Sequence, residues 1–388
     1  MTFRTRLAVL LISTPLVAFA IIGGLLGKAM AREESYRHLR VFEDVVSLIL
    51  NNYVEEVDVD KVMEGAMRGL ADGLDADSSF LVPSEVGLVE RNVAPERGEV
   101  GLELARQYYL RVVATRDGSA AARAGLRSGD FVRAIDGQPT RHMSVFEGMR
   151  RLHGAVGSKL ELIVLRGSTS EPRTITLVRE APAVPAPSVR MVASDIALLR
   201  VPTFSGEVVA QVRARADEAR KNGAAKLLID LRGTAEGSLD NGVAVARLFV
   251  PSGTLTQKAA RGRDPEIIAA KPGDGSIGGP IVLLSGRGTS GAAEIFVAAL
   301  LENKRAELVG EPTTGRAGLQ KLVKFSDGSG LLMTWSRFLT PSGKPIHGAG
   351  IEPTEAVEEP VADFDDPAPT SDPILEKGLA RFTAKAAA

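Results

Sequence analysis

The sequence predicts a multidomain α/β protein, on three observations. Between residues 195 and 357, short apolar runs alternate with segments of helical periodicity, the pattern of a sheet flanked by helices. From Gly98 to Glu180 the runs are shorter and strand-like, punctuated by glycine turns. Before them, residues 36–95 carry apolar side chains at three-and-four spacing, as helices do.

At the N-terminus, Arg4 and Arg6 precede Leu7–Leu26, a stretch of twenty residues without a charge. That is long for a signal-peptide core and just long enough to span a bilayer. Ala29-Met30-Ala31 also reads as a small-x-small cleavage site. Residues 1–31 are therefore expected to export the chain, as a signal peptide or an inner-membrane anchor through residues 7–26, with the basic end in the cytoplasm. The body of the protein then belongs to the cell envelope or periplasm.

Residues 32–96 form the expected N-terminal helical segment, in two stretches separated near Asp58–Asp60. Their apolar faces need a partner, either the rest of the chain or a second copy. Residues 97–180 follow as a domain of short strands. GEVGLEL and YYLRVVAT read as a strand pair, SAAARAGLRSGDFVRAIDGQPT as a small helix, a turn and a strand, and VFEGMRRLHG as a second helix. KLELIVLRG and PRTITLVRE supply two more strands. The proline-rich 181–190 reads as a stiff extended linker.

In residues 191–357, strands are expected at Ile196–Val201, Lys226–Leu231, Ile281–Ser285, Glu307–Gly310 and Leu331–Phe338. Helices fit Glu207–Asn222, Gly242–Phe249 and Ala292–Glu302. Residues 358–388 start as an acidic, proline-rich linker and end in a helix over Ile374–Ala386. The sequence contains no internal repeat.

Composition removes several function classes. The formal net charge is −1, which gives nucleic acid no electrostatic reason to bind. The chain has no cysteine, hence no disulfide, no thiol nucleophile and no Cys-ligated metal. Its four histidines, His38, His142, His153 and His347, are scattered, so no metal or cofactor is expected.

The richest stretch is PIVLLSGRGTSGAAEIFVAAL, residues 280–300: an apolar strand, a tight turn and a helix start. Free backbone N–H groups at such a junction can hold an oxyanion beside a nucleophile. Further motifs surround it: NYVEEVDVDKVMEGAMRGLADGLDADSSFL, GEVGLEL with GSAAARAGLRSGDFVRAIDG, LVGEPTTGRAGLQ, FSDGSGLLMT and RFLTPSGKPIHGAGIEP. On these the chain resembles the carboxyl-terminal processing (tail-specific) peptidases across nearly its whole exported length.

The resemblance implies a PDZ domain of small-barrel type with two helices, and a ββα-spiral core of the ClpP/crotonase kind. It also implies serine endopeptidase chemistry by a serine–lysine dyad, substrate C-termini recognised by the PDZ domain, and dimerisation through terminal segments. A lysine whose pKa is lowered by desolvation can deprotonate a serine hydroxyl.

Carried over residue by residue, the dyad is missing. The family's serine lies three residues before a glutamate, here Glu294, and that position is Gly291. The family's lysine falls on Arg316, which cannot be deprotonated at a useful pH. Gln320 and the acidic Glu302 are retained. The family's Asn-Asn-Pro-Gly-Gly oxyanion segment reads GTAEG here, with Ala235 at the proline, then Glu236 and Gly237. Glu236 is expected to bring negative charge to the oxyanion position and to strain a backbone built for glycine.

Ser290 is the candidate substitute nucleophile. A one-residue shift at a helix start turns a side chain by about 100° and moves it about 1.5 Å along the axis. An N-capping role is its bland alternative. Lys304, Lys321 and Lys324 are candidate substitute bases, and Glu236, Glu294 and Glu302 candidate ion-pair partners for Arg316. Glu99, Val100, Gly101 and Leu102 match the PDZ loop whose backbone N–H groups receive a terminal carboxylate.

The reading is a pseudopeptidase that binds peptide C-termini and regulates or scaffolds proteolysis, as a homodimer or with an active relative. The alternatives are an active endopeptidase using Ser290 and a purely structural envelope module.

Overall fold

A computed structural model describes residues 37–94, 96–167, 171–360, 363–364, 366 and 370–384. The proposed export segment, residues 1–31, lies outside them. The chain forms two compact units, one up to Ala66 and one from Met67. In the first, residues 37–52 are helical, and Leu39, Phe42, Val45 and Leu48 are exposed. No helix of the described residues is long and apolar enough to cross a membrane.

The centre of the second unit is a six-stranded sheet. Its spatial order is Glu355–Ala356, Glu307–Gly310, Ile281–Ser285, Lys226–Asp230, Ile196–Arg200 and Ser188–Met191. All pairings are parallel except the last. Strand side chains alternate between faces, and both faces here are covered. Ala197, Leu199, Leu227, Ile229 and Leu283 pack with Phe204, Phe249 and Phe296 under the helices Val208–Lys221, Leu239–Ala246 and Ala292–Glu302. Ile196, Leu198, Leu228, Val282 and Leu284 face Ile374 and Phe382 of the helix Pro373–Ala384. The near-continuous apolar runs of these strands are explained by that double burial.

A second sheet joins Ser79–Leu81, Gly330–Leu339, Thr254–Ala260 and Glu266–Ala269, with Gly318–Lys324 also paired to Gly330–Leu339. Several of these strands depart from the sequence reading. Ser79–Leu81 falls in the segment expected to be helical, because it adds to the edge of Gly330–Leu339. Ser188–Met191, at the end of the expected linker, pairs with Ile196–Arg200. The helix expected at Gly242–Phe249 runs instead over Leu239–Ala246. Gly242 is tolerated inside it because a Cβ there would lie 2.3 Å from the Ala292 carbonyl oxygen, so the two helices touch backbone to backbone.

The small domain is a sheet in the order Leu102–Gln107, Tyr109–Thr115, Phe131–Ile135, Lys159–Leu165 and Arg173–Val178. A bridge between Glu99 and Glu180 brings its two ends together. Its helices, Ala120–Arg123 and Val145–Leu152, are N-capped by the hydroxyls of Ser119 and Ser144. Its core is aliphatic: Leu104, Leu110, Val132, Ile135, Leu160 and Leu162 are all fully buried.

Candidate active site

The strand Ile281–Ser285 ends in a turn, and the helix Ala292–Glu302 begins with Gly291 as its N-cap. Gly291 has φ +63° and ψ −119°, a conformation that costs any other residue strain and that presents a side chain sharply at a strand-to-helix elbow. A Cβ at Gly291 would have ordinary contacts: 3.6 Å to the Ala235 carbonyl oxygen, 3.7 Å to Leu239 Cδ2 and 3.8 Å to the Arg316 carbonyl oxygen. The elbow thus has space for a side chain, and the Arg316 backbone lies beside it.

Glu294 holds this arrangement together. It is fully buried and accepts hydrogen bonds from the N–H groups of Gly291 (2.8 Å), Gly315 (2.6 Å) and Arg316 (2.7 Å), and from the Thr313 hydroxyl. Burial pushes its carboxyl up, while the four donors pull the other way. One side chain therefore ties the turn at Gly291 to the turn at Gly315–Arg316.

The Arg316 side chain goes elsewhere. Its Nε donates to Asp77 at 2.9 Å, and Nη2 lies 2.6 Å from the same carboxylate. Burial works against the Arg316 charge, but Asp77, Glu103 and Glu294 outweigh it and hold the guanidinium above its ordinary value. Gln320 donates through its side chain to the Asp77 carbonyl. The sequence-level partners for Arg316 are thus corrected. Glu236 pairs with Arg116, Glu294 takes only the Arg316 backbone N–H, and Glu302 accepts from the N–H and hydroxyl of Ser342 at the far end of its helix.

Ser290 is buried, 2% exposed, and its own N–H donates to the Thr234 carbonyl. The N-cap is Gly291, so the capping role expected for Ser290 is not the one it plays; its carbonyl accepts from Ala293. The candidate lysines are occupied or remote from this turn. Lys321 lies over Trp335, Lys324 pairs with Glu90, and Lys304 follows the end of the helix in a left-handed conformation.

In the altered oxyanion segment, the Glu236 carbonyl accepts from Phe204 N–H at 2.8 Å. Gly237 has φ +128° and lies so close to Phe204 that a Cβ would meet its backbone at 2.3 Å. Glu236 itself does not have a positive φ, so the expected strain is absent. Its carboxylate is also neutralised: Arg116, from the small domain, donates to both Glu236 oxygens at 2.8 and 3.0 Å and also grips Glu99. Burial opposes the Arg116 charge, and the two glutamates more than restore it. Glu103 lies in the same charged cluster. Burial raises its carboxyl to about 7, with Arg316 and Arg116 opposing and Glu236 and Asp77 adding to the rise.

Glu99, Val100, Gly101 and Leu102 lead into the first strand of the small domain. Gly101 has φ +72°, and a Cβ there would strike Ser119 Cβ at 2.3 Å. Leu102 begins the strand whose partner residue is Thr115. Val100 and Gly101 have N–H groups without a protein acceptor among the described residues, while their carbonyls accept from Ala121 and Arg116. Glu99 does not fit, because its N–H is spent on the Glu180 carbonyl. Among the described residues, no cluster of His, Asp or Glu has the arrangement of a metal site.

The sequence reading missed Asp77, Arg116 and Glu103. Asp75-Ala76-Asp77-Ser78 carries a turn signal: Asp75 accepts from the N–H groups of Asp77 and Ser78, and the Asp77 side chain meets Arg316. Nothing local marks Arg116 or Glu103, because their partners are distant in sequence.

Comparison with known proteins accords with this geometry. The family model described as "Peptidase family S41" matches residues 195–357, and a PDZ domain model matches residues 111–166. A carboxyl-terminal-processing protease of Synechocystis sp. is 32% identical over 292 residues, 74% of this chain and 68% of that protein. The chain belongs to the carboxyl-terminal-processing protease family. A second member of the family, from Bartonella bacilliformis, is 29% identical over 85% of this chain and 77% of its own length. Among solved structures, a photosystem II D1 C-terminal processing protease superposes with a TM-score of 0.68 at 26% identity, covering 88% of this chain and 95% of that one. The small sheet domain is accordingly the PDZ domain of this family member, and the two-sheet body its S41 core.

Proposed function

We propose that this family member is a pseudopeptidase: an exported protein that binds peptide C-termini through its PDZ domain and regulates or scaffolds proteolysis. The observation that carries the proposal is the pair of positions at the elbow. Gly291 offers no hydroxyl, and Arg316, the neighbouring position, is a permanent cation held by Asp77. Neither half of a serine–lysine dyad can act from there. Ser290 is buried one residue early, and among the described residues no lysine hydrogen-bonds to it, so it does not supply the missing chemistry.

Peptide binding is favoured by the left-handed Gly101 and by the free N–H groups of Val100 and Gly101, which suit a terminal carboxylate. The exposed Leu39, Phe42, Val45 and Leu48 favour assembly with a second copy or an active relative. The uncharged Leu7–Leu26 behind two arginines favours export, with an inner-membrane anchor or a cleaved signal.

A labelled peptide with an apolar C-terminus, followed by anisotropy and mass spectrometry together, tests the reading. Binding without cleavage, lost when the terminus is amidated, is expected. Cleavage would return the active-enzyme reading, and no binding would return the structural module.

A further inference from the structure

A cavity of about 510 Å³ lies between the PDZ domain and the core, with Gly288 in its wall. Gly288 is packed so tightly there that a Cβ would meet the Val113 carbonyl oxygen at 2.8 Å. Such a volume suits a small organic ligand. The cavity wall is rich in arginine, and the pairing of these charges is uneven.

Its acidic residues are mostly spoken for. Asp130 is held in a buried pair by Arg166 at 2.8 Å, Glu311 pairs with Arg287 at 2.9 Å, and Asp117 with Arg200 at 2.9 Å. Glu359, the remaining acid, feels the field of Arg232 and Arg127 without a direct bond to either. On the cationic side, Arg111 makes one side-chain bond, Nη1 to Gln107 at 3.0 Å. Its Nε–H is buried with no acceptor. Burial and the neighbouring Arg287 both hold Arg111 below the usual arginine range, so two like charges approach each other there. Arg127 contributes a third guanidinium, whose side chain has no direct acceptor among the described residues.

We infer that this cavity is a binding site for an anionic group of phosphate or carboxylate type, received by Arg111 with Arg127 and Arg287. The anion pairs with the Arg111 guanidinium where it lines the cavity and relieves the repulsion between Arg111 and Arg287. Planar guanidinium groups suit such oxyanions, since each can donate two parallel bonds. Arg111 and Arg127 belong to the PDZ domain and Arg287 to the core, so a bound anion joins the two. This site is separate from the carboxylate loop at Val100–Leu102.

Inorganic phosphate and citrate, each titrated calorimetrically into the full-length protein against chloride at matched ionic strength, test the inference. Saturable binding is expected with an apparent Kd on the order of 1 mM. It should weaken about tenfold in Arg111→Gln and in Arg287→Gln, and stay unchanged in the exposed control Arg220→Gln. Preference for phosphate or for citrate identifies which oxyanion source the site takes. Arg287, half exposed, keeps the test open if Arg111→Gln fails to fold. No saturable heat with either anion, or equal binding in both variants, would overturn the proposal.

Discussion

The Arg316 guanidinium rests on the Asp77 carboxylate, Nη2 to Oδ1 at 2.6 Å, with side-chain exposures of only 20% and 14%. The pair joins Arg316 of the core to the segment just before the strand Ser79–Leu81. Removing one partner of such a part-buried pair leaves an uncompensated charge. Asp77→Ala should therefore lower unfolding stability by about 3 kcal/mol. Denaturant titration of Asp77→Ala, Arg316→Ala and the double variant checks this. The double variant should be less damaged than the two single losses added together.

The elbow at Gly291 leads to a second expectation. A serine side chain has room there, but φ +63° charges every non-glycine residue about 1–3 kcal/mol. Gly291→Ser should fold with a lowered Tm and remain inactive, because Arg316 cannot take the hydroxyl proton. Thermal unfolding and a peptide-cleavage assay on the same preparation separate the two effects.

Glu294 is the residue on which the turn geometry depends. Glu294→Ala leaves the N–H groups of Gly291, Gly315 and Arg316 without their acceptor inside the protein. The loss should exceed about 3 kcal/mol. Glu294→Gln should also destabilise, since each carboxylate oxygen now receives donors and an amide nitrogen cannot. Equilibrium unfolding of the two variants measures both.

Glu103 gives a pH signature. Its folded-state carboxyl titrates at about 7, raised by burial from the ordinary 4.5. Between those values the folded protein keeps a proton that the unfolded chain releases, so this group's contribution to stability declines as pH rises from 4.5 to 7. Glu103→Gln should remove that decline and be more stable than the parent above pH 7. Unfolding midpoints of the two proteins across that range show whether their difference grows with pH.

Peptide binding depends on Gly101. Gly101→Ala demands φ +72° of an alanine and places Cβ against Ser119. Affinity for a peptide with a free apolar C-terminus should fall about tenfold or more, while the core's unfolding transition stays in place. Anisotropy titration and circular dichroism melting report on the two separately.

What was legible in the sequence follows the range of the forces involved. The parallel strands at 196–200, 226–230, 281–285 and 307–310 are visible because burial on both faces writes continuous apolar runs. Gly291 and Arg316 were singled out by the family resemblance of their local motifs, and the Arg316 carbonyl lies 3.8 Å from where a Gly291 Cβ would stand. Ser79–Leu81 and Ser188–Met191 were hidden because short edge strands owe their conformation to a partner strand rather than to their own residues. The helix Leu239–Ala246 starts earlier than expected because Gly242, a poor helix former, sits inside it in close contact with the Ala292 backbone. Asp77, Arg116 and Glu103 stayed invisible for a related reason: an ion pair across the fold leaves no periodicity in the chain.

The central claim is that no nucleophile acts at this elbow, and a cleavage assay tests it most directly. Purified protein and its Ser290→Ala variant are each incubated with an unfolded protein ending in apolar residues, and fragments are followed by mass spectrometry. The account predicts an intact substrate with both proteins. Fragments formed by the parent and absent with Ser290→Ala would contradict it and make Ser290 a relocated nucleophile.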